Sequence, residues 1–226
     1  MSTAADYFRE IAPKYDAVAL RGMPRYEEML SQIVRYLPEG AGEVLELGCG
    51  TGALTYLLAE RYPDARVTAV DAAREMIDLA SERLRSTGRS GDRVTFVVSL
   101  FEALDLPLAS YDLIASNMSL HHIVEKGPYY RRLCEALRPA GFLVLGDELK
   151  GGLEQVQTLN SNAWLEFARQ EGHLSEQEIT EIIAHEQEFD RYETLVDQVD
   201  MLRSAGFSAV DCVWRYLNYA VFVARA

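Results

Sequence analysis

The chain has 226 residues, of which 49% are hydrophobic and 25% are charged, and its formal net charge is −13 at pH 7. A chain of this length usually forms one domain, or at most two, and can bury a sizeable core. The acidic balance favours a small-molecule partner over a nucleic acid, because proteins that read nucleic acids usually present a basic face. The three cysteines are too few and too scattered for a disulfide framework or a zinc site.

The sequence predicts no association with a membrane. No run of about 18 apolar residues is present to span a bilayer. The first six residues, M-S-T-A-A-D, show neither the positive charge nor the apolar run of a secretory signal. We therefore expect a cytoplasmic protein.

Strand-like and helix-like segments alternate along the chain, which predicts β-α-β units and a parallel sheet. A helical segment is predicted to stop at Thr87-Gly88. Two late strand-like runs have no helix between them and must pair as a hairpin. The predicted strands are residues 43–47, 66–70, 94–98, 111–116, 141–146, 209–214 and 217–224.

A glycine loop follows the first predicted strand. Residues 44–52 read V-L-E-L-G-C-G-T-G, and Gly48, Gly50 and Gly52 allow the backbone to turn sharply and approach a ligand closely. Asp71 ends the next strand, where a carboxylate can hold both hydroxyls of a ribose. These features suit two cofactor classes, since Gly48, Gly50 and Ala53 also match the dinucleotide pattern G-x-G-x-x-G/A.

Glu46 and the close triplet Gly50-Thr51-Gly52 favour one class. Together they give E-L-G-C-G-T-G, which resembles the signature of class I S-adenosylmethionine-dependent methyltransferases. The segments D-A-A-R-E-M from Asp71, Y-D-L-I from Tyr111 and L-R-P-A-G-F from Leu137 resemble later motifs of that family in the same order. The resemblance implies a Rossmann-like α/β fold with a seven-stranded, mostly parallel sheet, a C-terminal antiparallel hairpin and helices on both faces. That terminal hairpin distinguishes it from the dinucleotide fold.

The resemblance also implies a cofactor, S-adenosyl-L-methionine, and a set of residues around it. Glu46 would help to hold the ammonium group, Met76 or its neighbours would pack on the adenine, and Cys49 is expected only as a small loop residue. Residues expected to contact the cofactor are Tyr26, Glu46, Gly48, Cys49, Gly50, Asp71, Ala72, Met76, Leu100, Phe101, Asn117 and His122.

A narrower resemblance comes from P-R-Y at Pro24, N-M-S-L at Asn117 and L-S-E-Q-E-I at Leu174. These pieces resemble the branch that includes the carboxy-S-adenosylmethionine synthases, and it is this branch that implies Tyr26 and Asn117. Leu100 stands where those relatives usually carry an aspartate for the adenine amino group, so backbone groups near Leu100 and Phe101 would replace it. In the synthases an arginine contacts the extra carboxylate of the carboxylated cofactor, and this arginine is missing near Ile182. A shifted alignment would place Arg191 at that position.

We expect one domain over residues 1–226, with a helical cap (1–40), a cofactor-binding core (41–148), a helical lid (149–192) and a final helix with the hairpin (193–226). A capping box is predicted at Ser175-Glu178. The cap and the lid would lie over the carboxyl edge of the sheet, where ligands of open α/β folds bind, and would exclude water.

Candidate catalytic bases are His121 and His122 after the fourth strand and Glu148, beside Asp147, after the fifth. Alternatively, the two histidines only form part of the pocket wall, and the two carboxylates only cap the next helix. No metal is expected, since the spacing of these residues is generic. His173 and His185 are interpreted as surface residues. One set of aromatic residues either forms a cage around the acceptor or packs in the core of the lid and the hairpin. The set is Tyr26, Trp164, Phe167, Tyr192, Trp214, Tyr216 and Tyr219.

The leading hypothesis is an S-adenosylmethionine-dependent methyltransferase that acts on a small molecule through an oxygen, nitrogen or carbon nucleophile. Two alternatives are a carboxy-S-adenosylmethionine synthase-like enzyme and a non-catalytic cofactor-binding protein. The resemblance also suggests a homodimer.

Overall fold

The computed structural model describes residues 4–87 and 93–226. Residues 1–3 and Gly88 of the predicted helix stop lie outside them. One mixed sheet of seven strands organises this part of the chain, in the order β3-β2-β1-β4-β5-β7-β6. Its strands are β1 (Glu43–Leu47), β2 (Arg66–Asp71), β3 (Val94–Val98), β4 (Tyr111–Asn117), β5 (Leu137–Glu148), β6 (Ala209–Tyr216) and β7 (Tyr219–Arg225).

The pairing confirms a parallel sheet that ends in an antiparallel hairpin. Neighbouring strands among β1 to β5 pair in parallel, and β7 runs antiparallel to both β5 and β6. The carboxyl ends of β1, β2, β4 and β5 therefore meet at one edge. This edge carries the glycine loop, Asp71 and the residues after β4 and β5.

Two predicted strand starts were wrong, and five predicted strand ends fell one or two residues short. The strand β5 begins at Leu137, four residues early, because Leu137 already pairs with Tyr111 before the register shifts. Pro139 therefore lies inside β5, where such an irregularity tolerates a residue without an N–H donor. Leu217 belongs to the two-residue hairpin turn, with φ of 50°, and the strand starts at Tyr219.

Helices cover both faces of the sheet. Leu113 and Ala115 pack with α3 and α4 on one face, whereas Ile114 packs with α6 on the other, as the two-residue period of a strand requires. The helices are α1 (Ala4–Ile11), α2 (Tyr15–Gly22), α3 (Tyr26–Arg35), α4 (Ala53–Arg61), α5 (Arg74–Ser86), α6 (Lys126–Ala136), α7 (Glu154–Gln170), α8 (Glu176–Phe189) and α9 (Leu195–Ser204), with single 3-10 turns at Ala12–Lys14 and Leu120–His122. None of the helices in residues 4–87 and 93–226 has the length and apolar character needed to cross a membrane.

The N-terminal helices and the helices after β5 pack against each other. The Trp164 indole N–H donates to the Gly22 carbonyl at 2.8 Å, and Arg21 pairs with Glu178 at 2.6 Å. The predicted capping box at the start of α8 is confirmed, since the Ser175 side chain accepts from the Glu178 backbone and the Glu178 side chain accepts from the Ser175 backbone. Cap and lid thus form a continuous helical cover.

Candidate functional site

The turn after β1 depends on glycine. Gly48, Gly50 and Gly52 have φ values of 70°, 51° and 85°, in the region that side chains disfavour. A Cβ atom on Gly48 would lie 2.2 Å from the Ser119 Cβ atom, and one on Gly52 would lie 2.9 Å from the Ala80 Cβ atom. The loop therefore approaches its neighbours more closely than any larger residue allows.

A cleft of about 850 Å³ opens between this loop and the ends of β2 and β4. Nine of the residues predicted to contact the cofactor line it, namely Gly48, Gly50, Asp71, Ala72, Met76, Leu100, Phe101, Asn117 and His122. We call this cleft the first cavity.

Three predicted contact residues do not line the first cavity. Cys49 is buried with Ala69 and Ile77, which fits its expected part as a small loop residue. Tyr26 lies in neither this cavity nor the next one, and burial, with Asp16 nearby, raises its pKa to about 12. Glu46 lies beneath the loop with only 1% of its surface exposed.

Glu46 is a buried carboxyl group with unmet hydrogen-bonding capacity. Its Oε2 atom has no hydrogen-bond partner among the described residues. Burial raises its pKa to about 8. A carboxyl group in this state gains from a nearby cation or donor, because an unpaired buried acceptor costs free energy.

Asp71 joins the loop to the second strand. Its two carboxylate oxygens accept from the Gly50 and Ala73 backbone N–H groups, each at 2.9 Å. Burial raises its pKa, although these hydrogen bonds act in the opposite direction. The Asn117 Oδ1 atom, also in the cavity wall, is buried without a partner in the described part of the chain.

The roof of the first cavity comes from the N-terminal helices. Ala4, Phe8 and Tyr15 form this roof, and Glu102, Met118 and Ser119 line the cavity elsewhere. None of these six residues was predicted to contact the cofactor. Asp16 holds the roof in place through hydrogen bonds with the Thr51 hydroxyl group and the Arg83 guanidinium group. Residues 13–16 read P-K-Y-D, and nothing in this sequence shows that Tyr15 faces the loop.

A second cavity of about 670 Å³ adjoins the first. Phe8, Tyr15 and Met118 line both cavities, and Met118 has a strained φ of 53°. The other walls of this cavity come from α1, α2, α7, α8, the ends of β4 and β5 and the start of β7. They include Tyr7, Ile11, Val18, Met23, His121, Glu148, Trp164, Ile182, His185, Glu186, Asp190, Tyr192 and Tyr219.

The polar residues concentrate at one end of the second cavity. His121 Nδ1 lies 2.5 Å from Asp147 Oδ1, and both side chains are buried. Burial lowers the pKa of His121, but Asp147 more than reverses this and raises it to about 9. Burial and the neighbouring Glu186 raise the pKa of Glu148, and burial raises that of Glu186 to about 7.

Several predictions about this region can be decided from the geometry. Asp147 and Glu148 do not cap the next helix, since α7 begins at Glu154 and its N-cap residue is Leu153. The interpretation of His185 as a surface residue was wrong, because its side chain is only 10% exposed and lies against the Tyr7 ring. His173, by contrast, is exposed.

The aromatic residues that the sequence singled out divide into two groups. Trp164, Tyr192 and Tyr219 line the second cavity. Tyr26, Phe167, Trp214 and Tyr216 do not, and Trp214 instead donates to Glu28 at 2.9 Å. The cavity wall is therefore aromatic in part, and the rest of the set belongs to the packing of helices and hairpin.

Comparison with known proteins agrees with this geometry. Residues 44–141 match the family described as methyltransferase domain. The carboxy-S-adenosyl-L-methionine synthase of Pseudomonas putida (strain GB-1) is 30% identical over 209 residues, which cover 90% of this chain and 84% of the synthase. The chain is a class I S-adenosylmethionine-dependent methyltransferase. Within that family it belongs to the branch of the carboxy-S-adenosyl-L-methionine synthases.

The alignments with two other relatives cover a smaller part of each relative's length. A malonyl-[acyl-carrier protein] O-methyltransferase of Priestia megaterium is 31% identical over 156 residues, which are 69% of this chain but only 55% of that enzyme. A solved putative O-methyltransferase from Nostoc punctiforme aligns over all of this chain and 62% of its own, with a TM-score of 0.71 and 17% identity. The latter likeness shows the shared fold.

S-adenosylmethionine is the cofactor of this methyltransferase family, and the first cavity has the chemistry to hold it. The glycine loop leaves room for backbone contact, and Asp71 presents a carboxylate in the wall. The unpartnered Oε2 of Glu46 and Oδ1 of Asn117 are acceptors without donors, whereas the cofactor carries an ammonium group and hydroxyl donors. The residues present thus fit the group.

Proposed function

We propose that this methyltransferase transfers a methyl group from S-adenosylmethionine, bound in the first cavity, to a small molecule bound in the second. The observation that carries the proposal is that the two cavities meet along Phe8, Tyr15 and Met118. A donor in one and an acceptor in the other would face each other across this junction. Holding two reactants in line accounts for much of the rate of such a transfer.

The kind of acceptor is inferred from the walls of the second cavity. Helices α2, α7 and α8 cover it, and the hydrogen bond from Trp164 to Gly22 ties two of its sides together. A concave space between these helices suits a small molecule better than a nucleic acid or a protein surface. The net charge of −13 supports the same conclusion about nucleic acids.

The cofactor, when bound, supplies a methyl group that its sulfonium centre already activates. The protein therefore has to orient the acceptor, exclude water and remove a proton where the nucleophile carries one. We assign the last task to Glu148, a buried carboxyl group in the wall of the second cavity. His121 and His122 would orient the acceptor, since Asp147 fixes the His121 ring and His122 lies in the wall of the first cavity.

Within the proposed function, synthesis of a carboxylated cofactor is the second candidate, favoured by the 30% identity to a carboxy-S-adenosyl-L-methionine synthase. Two observations support ordinary methyl transfer over it. No arginine or lysine lines either cavity among the described residues. The Arg191 side chain is exposed and donates to the backbone carbonyls of Asp190 and Glu188. An additional carboxylate would therefore find no arginine or lysine side chain in the described cavity walls.

The experiment is a product assay with small acceptors that differ in their nucleophilic atom. The protein is incubated with S-adenosylmethionine and each acceptor, and mass spectrometry measures S-adenosylhomocysteine and the methylated product. We expect turnover with at least one oxygen, nitrogen or carbon nucleophile. We also expect a large loss of kcat in Glu148→Gln and no change in the control Glu154→Gln, which alters an exposed carboxylate at the start of α7.

The alternatives predict different results in the same assay. A carboxylated cofactor that co-purifies with the protein would favour the synthase. Tight cofactor binding without turnover of any acceptor would favour a non-catalytic binding protein. Equal kcat values for Glu148→Gln and the wild type would refute the part assigned to Glu148.

A further inference from the structure

Asp190 lies at the end of α8 with one carboxylate oxygen among three histidines. Its Oδ1 atom is 2.9 Å from His122 Nδ1, 3.9 Å from His121 Nε2 and 3.7 Å from His185 Nε2. The Asp190 side chain is only 4% exposed. The three rings come from two distant parts of the chain, the turn after β4 and the helix α8.

Hydrogen bonding does not account for this arrangement. Asp190 Oδ1, both ring nitrogens of His122 and Nδ1 of His185 are buried without a hydrogen-bond partner in the described residues. His122 Nδ1 nevertheless lies only 2.9 Å from Asp190 Oδ1. Unpaired buried polar atoms are costly, so several around one point indicate that something is bound there.

The outer contacts hold two of these side chains in the orientation that a metal ligand needs. The His121 Nδ1 atom is engaged by Asp147 at 2.5 Å, which leaves Nε2 to face Asp190. The Tyr192 hydroxyl donates to Asp190 Oδ2 at 2.7 Å, which leaves Oδ1 to face the histidines. A carboxylate behind a ligating histidine is a regular feature of metal sites, because it fixes the tautomer and the ring orientation.

The distances suit a common ion. Zinc lies about 2.0–2.2 Å from histidine nitrogen and carboxylate oxygen, so two ligand atoms of one tetrahedral ion are about 3.4 Å apart. The three separations from Asp190 Oδ1 differ from this value by about 0.5 Å or less. One ligand atom each from His121, His122 and Asp190 lies within 4.8 Å of the others, so side-chain shifts that shorten the widest separation by up to about 1.4 Å close the site.

We propose that His121, His122 and Asp190 bind one divalent ion of the zinc class. Two imidazoles and one carboxylate are a donor set that first-row transition metals prefer to Mg²⁺ or Ca²⁺. This binding is independent of the proposed acceptor, and its failure would leave the proposed methyl transfer untouched.

The proposed metal site lies between the two cavities of the enzyme. His122 lines the first cavity, whereas His121, His185 and Asp190 line the second. An ion held between them sits at the junction of the two cavities. It would offset the charge of Glu148 and Glu186, which have no lysine or arginine beside them in the described cavity walls.

The experiment uses the full chain, expressed without a histidine tag and freed of metal by a chelator. Zinc chloride is titrated calorimetrically, and thermal unfolding is followed with and without zinc. We expect one ion per chain with a Kd in the micromolar range or tighter, and a higher Tm with zinc. Cobalt(II) is a second probe, since its visible spectrum reports nitrogen and oxygen ligands in the folded wild type.

Two variants test the ligands and one serves as control. Asp190→Asn should weaken zinc binding by at least about 100-fold, and Asp147→Asn, behind His121, by about 10- to 100-fold. His173→Ala removes an exposed histidine outside the cluster and should leave Kd unchanged. If Asp190→Asn fails to fold, Asp147→Asn and the cobalt spectrum carry the test.

The proposal would be overturned in either of two ways. The first is a wild type that binds neither zinc nor cobalt at one ion per chain. The second is zinc binding that is equal in the wild type and in a folded Asp190→Asn or Asp147→Asn. The buried polar atoms would then belong to the binding of an organic cation or to a histidine-carboxylate cluster alone.

Discussion

Replacement of Glu46 by glutamine should stabilise the protein without cofactor at alkaline pH and weaken its binding of S-adenosylmethionine. Glu46 is 1% exposed, and burial raises its pKa from 4.5 to about 8. The folded chain therefore keeps a proton that the unfolded chain has already lost above pH 4.5. Stability falls with rising pH wherever the folded state binds more protons, so Glu46 lowers the stability progressively between about pH 4.5 and 8.

The size of the effect follows from the shift of the pKa. Each unit corresponds to about 1.4 kcal/mol, so the buried carboxylate costs on the order of 4 kcal/mol at pH 8 and above. Glu46→Gln removes this cost, because an amide does not ionise. The difference in free energy of unfolding between variant and wild type should therefore grow by up to about 4 kcal/mol from pH 5 to pH 9.

The assay is urea unfolding, followed by the fluorescence of the two tryptophans, at pH values from 5 to 9. Glu39→Gln is the matched control, since Glu39 is exposed, and its difference from the wild type should not vary with pH. Calorimetric titration should show weaker S-adenosylmethionine binding in Glu46→Gln, because its ammonium group loses a charged partner. A difference between variant and wild type that is the same at pH 5 and pH 9 would refute the reasoning.

Three further substitutions give separate expectations. Gly48→Ala places a Cβ atom 2.2 Å from a neighbouring side-chain carbon at a positive φ, and should cost at least about 1–3 kcal/mol in urea unfolding and abolish cofactor binding; Gly40→Ala, which meets no atom within 4 Å, should do neither. Asp71→Ala should raise the Kd of S-adenosylhomocysteine about 10- to 100-fold in calorimetry, through lost charged hydrogen bonds, and an unchanged Kd would remove it from the site. Trp164→Phe keeps an aromatic side chain but loses the indole N–H and its hydrogen bond to Gly22. KM for the acceptor should rise while cofactor affinity stays constant, and a change in cofactor affinity alone would contradict this.

The sequence predicted those parts of the fold that local pattern determines. The strand ranges 43–47 and 94–98 agree with β1 and β3 to the residue, because apolar runs bounded by turn residues mark strands. The start of β5 was missed, since Pro139 and Ala140 read as a turn and only the pairing of Leu137 with Tyr111 extends the strand past them. Strand pairing across the sheet is not visible in a local window.

The same limit applies to the site. The glycine loop, Asp71 and Asn117 belong to consecutive motifs at one edge of the sheet, and the sequence placed them together correctly. Phe8 and Tyr15 belong to a roof whose position depends on tertiary contacts of Asp16 with the loop and with α5. No periodicity in the N-terminal segment encodes that docking.

His185 shows a signal that sequence reasoning passed over. Its neighbours Glu186, Gln187 and Glu188 are polar, which suggested a surface position. It nevertheless follows Ile179 and Ile182 at three-residue spacing, on one face of the helix. That spacing indicates that this face of α8 is buried. The approach of Asp190 to His121 and His122, in contrast, has no signal in the sequence, because it depends on how α8 packs over the end of β4.

The most direct test of the central claim is calorimetric titration of the purified chain with S-adenosylmethionine, S-adenosylhomocysteine and NAD, repeated on Asp71→Ala. The account predicts micromolar binding of both adenosyl ligands by the wild type, no binding of NAD, and weaker binding of both ligands by the variant. Binding of NAD in place of the adenosyl ligands, or adenosyl binding that Asp71→Ala leaves unchanged, would contradict the assignment of the first cavity as the cofactor site.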